Sequence, residues 1–291
     1  MVTINEFLDN VLKDFKAYVD SQDQLCDLLD AHFDAGKVPD YSDVHIQQLY
    51  LLRYAYGYAF EYKQMYKDLM ARIKLGDKIK VTSVGCGNLI DYWALARVIN
   101  GRCKIKYWGI DTVDWKYKMP VQNADDVKFI NTGAVEYFKA KEKLSSDVYI
   151  FPKSISEFEQ DEMVAIANCL PKLSKDRVHF LFSLRTDSGS IRRDAANSNI
   201  IYQKMQNLSF HTEDNNTNYY IMNSNIQGKT IRAVDHDFQH PKDVVDYLKE
   251  LYSHCSDFSS CHSNIECAER LGRFPILKCQ QAAWQIFTFE R

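Results

Sequence analysis

Lys78–Ile99, KIKVTSVGCGNLIDYWALARVI, decides how the chain is read. Val81, Ser83 and Val84 lead out of a short buried-strand pattern, and Gly85-Cys86-Gly87 break it. Asn88 then opens an apolar helix carrying Leu89, Trp93, Leu95, Ala96 and Ile99. A glycine turn between a strand and a helix N-terminus lets backbone approach a ligand closely and aims free N–H groups at it. A second strand, containing Ile105, Tyr107, Trp108, Gly109 and Ile110, ends in Asp111. An acid at the tip of the second strand is where this kind of α/β fold grips ribose hydroxyls.

Two ligand classes use such a turn. The nicotinamide and flavin fingerprint asks for a third small residue that packs helix against strand. Here that position is Ile90, whose branched side chain speaks against a pyrophosphate ligand and a nucleotide-linked oxidoreductase. S-adenosylmethionine (SAM) carries no phosphate and needs only the tight turn and the acid. At the strand, Gly85-Cys86-Gly87 and Asp111, the chain resembles the class I SAM-dependent methyltransferases, over roughly residues 78–185 and the chain's end.

That resemblance implies an α/β fold with a doubly wound, mainly parallel sheet, and SAM as cofactor. It implies that Gly85, Cys86 and Gly87 pass the methionine portion, and that Asp111, with Thr112 beside it, accepts from the ribose. It puts Asn131, Thr132 and Gly133 near adenine, although the family's usual acid is absent there. Pro152 and Lys153, followed by Ser154, would border the methyl group. The segment Phe151-Pro152-Lys153-Ser154 is neither the Asp/Asn/Ser-Pro-Pro-aromatic motif of base amino methylation nor the Pro-Cys of cytosine-C5 enzymes. Lys153 itself reads as a substrate contact or, more simply, as a solvated loop residue.

Outward from this core, residues 3–34 carry helical periodicity: Ile4, Phe7, Leu8, Val11, Leu12, Phe15 and Val19, then Leu25, Leu28, Leu29 and Phe33. A long helix starts near Ser42-Asp43, both good caps, and runs to about Leu75. Tyr50, Tyr54, Tyr56, Tyr58, Tyr62 and Tyr66 crowd it around Arg53. These rings either pack the helix onto the core or form a lid in which Tyr54 and Tyr58 touch ligand. Further strands are read at 127–131, 147–151 and 177–183, with a helix starting at Ser156-Glu157 and ending near Leu170-Pro171. A polar loop follows at 185–190, a helix at 200–208, and strands at 219–222 and 230–234. Asp235, His236, Asp237 and His240 look metal-like by composition but read as a solvated loop. A helix runs from His240 through Leu251, and Ala283–Phe289 reads as the buried closing strand. The domain reading is a helical N-terminal cap at 1–76 and a Rossmann-like domain at 77–291, with a Cys-rich insertion at 239–280.

That insertion holds Cys255, Cys261, Cys267 and Cys279, with His254 and His262 beside two of them. Thiolates and imidazoles gathered by a loop-rich segment are how a structural zinc site forms. No C-x-x-C pair is present, so buried free thiols stand as the alternative. Cys86 reads as a small filler in the turn.

The chain is near neutral, at −3, with no Lys/Arg stripe, which turns the reading away from nucleic acid as acceptor. No apolar run approaches the ~20 residues a bilayer span needs. The N-terminus lacks the basic start and apolar run of a signal peptide, so the protein reads as cytoplasmic, with cysteines as thiols or metal ligands. The expected activity is methyl transfer from SAM to a small molecule or a protein side chain. The alternatives are a catalytically silent methyltransferase-like subunit using the Cys-rich segment as an interface, and an RNA methyltransferase. No catalytic base is legible; Glu157 and the tyrosines are the groups at hand.

Overall fold

The computed structural model describes residues 2–31, 38–214, 231–255 and 264–291. Contacts divide the chain into two compact units. The sheet unit comprises Ala59–Asp114, Val121–Val234 and Gln280–Arg291, and the helical unit Met1–Tyr58, Trp115–Pro120 and Asp235–Cys279.

The sheet has seven strands: β1 (Lys78–Val84), β2 (Lys104–Asp111), β3 (Asp126–Asn131), β4 (Val148–Pro152), β5 (Arg177–Leu184), β6 (Ile231–Asp237) and β7 (Lys278–Glu290). Their order is β3-β2-β1-β4-β5-β7-β6. Pairs β1–β2, β2–β3, β1–β4 and β4–β5 are parallel. β7 runs antiparallel against β5, with Leu184 opposite Ala283 and Arg177 opposite Glu290. β4 is buried at every position, and β5 at all but its first, as a strand covered on both faces must be. Stacked Tyr149–Phe180 and Phe151–Phe182 pairs, at 5.3 and 5.2 Å, fill the space beside them.

The order reverses at β1, which sits between β2 and β4. Right-handed crossovers therefore place α3 (Ile90–Ile99) on one face and α4 (Ala134–Ala140) and α5 (Gln160–Ala167) on the other, a doubly wound sheet. α3 is apolar nearly all round and buried accordingly. It starts at Ile90 rather than Asn88, because Leu89 takes a left-handed conformation, φ 66°.

α6 (Ser188–Asn207) covers much of what reads as a polar loop in the sequence. Its N-terminal half is rich in Ser, Asn and Gly, residues of poor helix propensity. Tertiary contacts override that: Asp187 caps the helix through Ser190 N–H, Ile191 and Ala195 are buried, and Asn197 donates to the carbonyls of Ile155 and Phe158. The helix expected from Ser156 is instead a 3-10 turn at Ile155–Glu157, and α5 follows it under a Glu159/Glu162 capping box. The expected strand at 219–222 lies outside the described residues.

In the helical unit, α1 (Ile4–Val19) begins with a Thr3/Glu6 capping box and buries Phe7, Leu8, Val11, Leu12, Phe15 and Val19. It ends at Asp20, short of the long helical run expected, and a 3-10 turn at Cys26–Asp30 follows. α7 (Lys242–Lys249) and α8 (Asn264–Leu271) complete the unit. The long helix α2 (Val44–Arg72) gives its first half to this unit and its second half to the sheet unit. In the first half, fully buried Arg53 donates to the carbonyls of Arg270 and Leu271 at 2.9 and 3.0 Å, satisfying the C-terminus of α8. In the second half, Asp68 accepts from Trp284 Nε1 at 2.9 Å and Arg72 pairs with Asp214 at 2.7 Å, which fastens residues 59–72 to the sheet.

Candidate functional site

The C-terminal ends of β1, β2 and β4 meet at the topological switch point. Val84 is followed by Gly85 at φ 68° and Gly87 at φ 52°. The N–H groups of Gly85 and Cys86 both donate to Ile110 O, at 2.8 and 3.1 Å, so the turn folds back over β2. A Cβ on Gly85 would lie 2.4 Å from Ser154 Cβ, and Ser154 Oγ donates to Val84 O at 2.5 Å. Only glycine fits there. Cys86 is buried against Gly109, where a Cβ would come within 2.7 Å of its sulfur, in keeping with a filler.

Gly85→Ala combines an unfavourable φ with this overlap. We expect it to lower stability by about 2–4 kcal/mol. Gly101→Ala, at φ 74° with no neighbour within 4 Å, should lose only about 1 kcal/mol in the same urea titration.

Asp111 closes β2 and is half-buried. Its Oδ2 accepts from Gly87 N–H at 2.8 Å and its Oδ1 from Val113 N–H at 2.9 Å. Its carbonyl accepts from Thr132 N–H at 2.9 Å and Asn131 Nδ2 at 3.2 Å. One residue thus fastens the ends of β1, β2 and β3. A carboxylate offers about four acceptor positions, and two of those at Asp111 take these N–H groups. Thr112 follows it directly, and Gly133 is the N-cap residue of α4. Beside the turn, Asn88 is buried and its Nδ2 has no hydrogen-bond partner among the described residues. Beneath it, Asp91 is buried and accepts from Tyr107 Oη at 2.8 Å through both oxygens; burial raises its carboxyl to about 6.

At the end of β4, Pro152 pairs with Ser183. Lys153 is not a solvated loop residue. It is 9% exposed, at φ 57°, and its Nζ lies 2.9 Å from Glu61 Oε1 and donates to Leu184 O. Ser183 Oγ donates to the same Glu61 oxygen at 2.5 Å. Next to this pair, Arg185 spans Ser156 Oγ at 2.8 Å and Glu157 Oε1 at 3.2 Å, while its backbone N–H donates to Asp194 Oδ2 at 2.7 Å. Burial raises the Glu157 carboxyl; Arg185 opposes this, and Asp111 and Asp194 add to it. A third of the Glu157 side chain stays open to water, which moderates the rise.

Glu61, Arg185 and Asp194 are the members of this cluster that the sequence does not announce. Burial raises the carboxyl of fully buried Asp194 from 3.8 to about 6. The fold therefore holds this proton more tightly than the unfolded chain does, and stability from this group is present below pH ~4 and lost as pH rises through ~6. Asp194→Asn should abolish that loss, gaining up to about 3 kcal/mol relative to wild type between pH 4 and pH 7, read from urea midpoints at each pH.

The four-cysteine zinc set is not assembled among the described residues, where no group of three or more Cys, His, Asp or Glu is arranged to hold a metal. Cys261 and His262 lie outside the described residues. Cys267 and Cys279 are buried small side chains of α8 and β7, and Cys255 Sγ approaches Asp23 O at 3.8 Å. Asp235, His236 and Asp237 belong to β6 rather than to a solvated loop, and His240 Nε2 bonds the carbonyl of Ile276 at 2.9 Å. No described helix is long and apolar enough to cross a membrane.

No family model matches the chain, and no curated protein matches it. Among solved structures it is similar to a 1,6-didemethyltoxoflavin-N1-methyltransferase of Burkholderia thailandensis with bound S-adenosylhomocysteine (14% identity, 53% of this chain and 69% of that one, TM-score 0.39). It is also similar to a SAM-dependent methyltransferase of Archaeoglobus fulgidus (12%, 81% and 100%, 0.39) and to a mycolic acid cyclopropane synthase (8%, 78% and 83%, 0.40). Strand order and pairing direction define the fold. With β3-β2-β1-β4-β5 parallel and β7 inserted antiparallel between β5 and β6, the fold is that of the class I SAM-dependent methyltransferases.

Proposed function

We propose that the chain transfers the methyl group of SAM to an acceptor, a small molecule or a protein side chain. One observation carries this reading: the glycine turn after β1 is tied directly to the acid ending β2, at the point where the strand order reverses. The residues fit the cofactor. Gly85, Cys86 and Gly87 form a close backbone wall, and buried Asn88 Nδ2 is a donor in need of an acceptor. Asp111 presents an acceptor of the kind ribose hydroxyls need, with Thr112, Thr132 and Gly133 as neighbouring wall and Pro152 and Lys153 at the β4 end.

Bound SAM supplies an electrophilic sulfonium methyl, so in-line positioning of the acceptor provides much of the rate. The chain's own task is to orient the acceptor, exclude water and take a proton where the acceptor carries one. Glu157 is the carboxylate at hand for that proton, with Arg185 holding its orientation. Lys153 serves instead as an internal support, since its amine is committed to Glu61.

The test is calorimetric titration of SAM and, separately, NADH into the full chain. Micromolar SAM binding with no heat from NADH supports the reading. Absence of SAM heat and of any thermal shift would leave the silent-subunit alternative.

A further inference from the structure

The helical unit carries a second feature, separate from the residues placed around the glycine turn and Asp111. Tyr50, Tyr54 and Tyr58 recur every four residues on α2 and so share one helix face. Tyr50 sits 5.4 Å from Tyr54 and 5.8 Å from Tyr58, ring centre to ring centre, and Tyr54 and Tyr58 stack at 5.9 Å. Tyr41 meets Tyr50 edge-on at 5.2 Å. Trp115 lies 5.2 Å from Tyr41 and 5.6 Å from Tyr50. Trp115 is buried as the floor of the group, while all four tyrosines keep part of their surface in solvent. An apolar core does not need four phenol rings left partly open over a buried indole.

Charge selects the ligand. The helical unit holds 11 Lys and Arg against 18 Asp and Glu, a balance of −7, whereas the sheet unit, with 25 against 21, stands at +4. An acidic unit concentrates cations and repels anions around it. Aromatic faces within about 6 Å of a positive centre attract it through their quadrupole, and most effectively when the cation is bulky and weakly hydrated. We propose that Tyr41, Tyr50, Tyr54, Tyr58 and Trp115 form a binding site for an alkylammonium group. The site stands on the helical unit alone and does not depend on the SAM reading.

The experiment uses two probes of the same shape and different charge: choline and its carbon isostere 3,3-dimethylbutan-1-ol. Each is titrated into the full chain by ligand-observed NMR, with SAM titrated separately. Choline should bind roughly 5- to 30-fold more tightly than the neutral alcohol. Tyr54→Leu and Tyr58→Leu should each weaken choline roughly 5-fold or more, and Tyr54→Phe should retain it, because the ring face is the ligand. Equal affinity for the two probes, or no choline binding by the wild-type chain, overturns the proposal. If a leucine variant fails to fold, the comparison of probes on wild type still decides. SAM binding without choline binding sinks this site alone, and the reverse result sinks the methyl-transfer reading alone.

Discussion

Glu61→Leu is expected to destabilise the chain by about 3–5 kcal/mol. Glu61 is 5% exposed and holds Lys153 Nζ at 2.9 Å and Ser183 Oγ at 2.5 Å through the same oxygen. Removing the carboxylate strands an ammonium that is itself 9% exposed, with Leu184 O as its remaining hydrogen-bond acceptor among the described residues, and strands a hydroxyl that has no exposure at all. Lys153→Met alone should be damaging for the mirrored reason, leaving a buried carboxylate with one hydroxyl donor. The double variant Glu61→Leu/Lys153→Met removes both charges together and should recover most of the loss, because a buried pair is costly to break but not costly to replace by apolar side chains of similar volume. Urea midpoints of wild type, both single variants and the double variant form a closed cycle. A double variant as unstable as the sum of the singles would mean a coupling energy of zero, so that the two side chains do not act as a pair.

The second large effect falls on ligand binding. Asp111→Ala should weaken SAM by about 1–3 kcal/mol, a factor of roughly 5 to 150, measured by calorimetry against wild type. It should also lower stability, since Gly87 N–H and Val113 N–H both lose their acceptor. Asp111→Asn separates these contributions. Its amide oxygen can still accept one N–H, but the second oxygen becomes a donor group facing a donor. Unchanged SAM affinity in both variants would remove Asp111 from the proposed ribose contact.

Much of this architecture is legible before any coordinates. The apolar runs of β1, β2, β4, β5 and β7 are strong because these strands are buried, and Gly85, Gly87 and Asp111 stand out because backbone geometry restricts what fits at them. What is not legible depends on partners distant in sequence. Lys153 reads as a solvated residue until Glu61, on a helix before the first strand, is brought against it. Asp194 lies in a polar stretch with no apolar period to mark it as buried, and the groups that hold it, the Arg185 N–H first among them, come together only in the fold. The start of α6 fails for the same reason: its stability comes from Asp187, Ile191 and the bonds of Asn197, not from local propensity. The cysteines are a different case: among the described residues Cys267 and Cys279 are buried, which composition alone does not indicate, while Cys261 and His262 lie outside those residues.

The fastening of three loop ends to Asp111 also bears on when order is established. Gly87, Val113 and Thr132 are all bonded to this residue by groups of the chain itself. Their conformational freedom is therefore surrendered during folding, not at the moment of encounter, and a ligand meeting this edge finds walls already set. Preorganisation of this kind reserves the contact energy for affinity and for orienting the reacting groups.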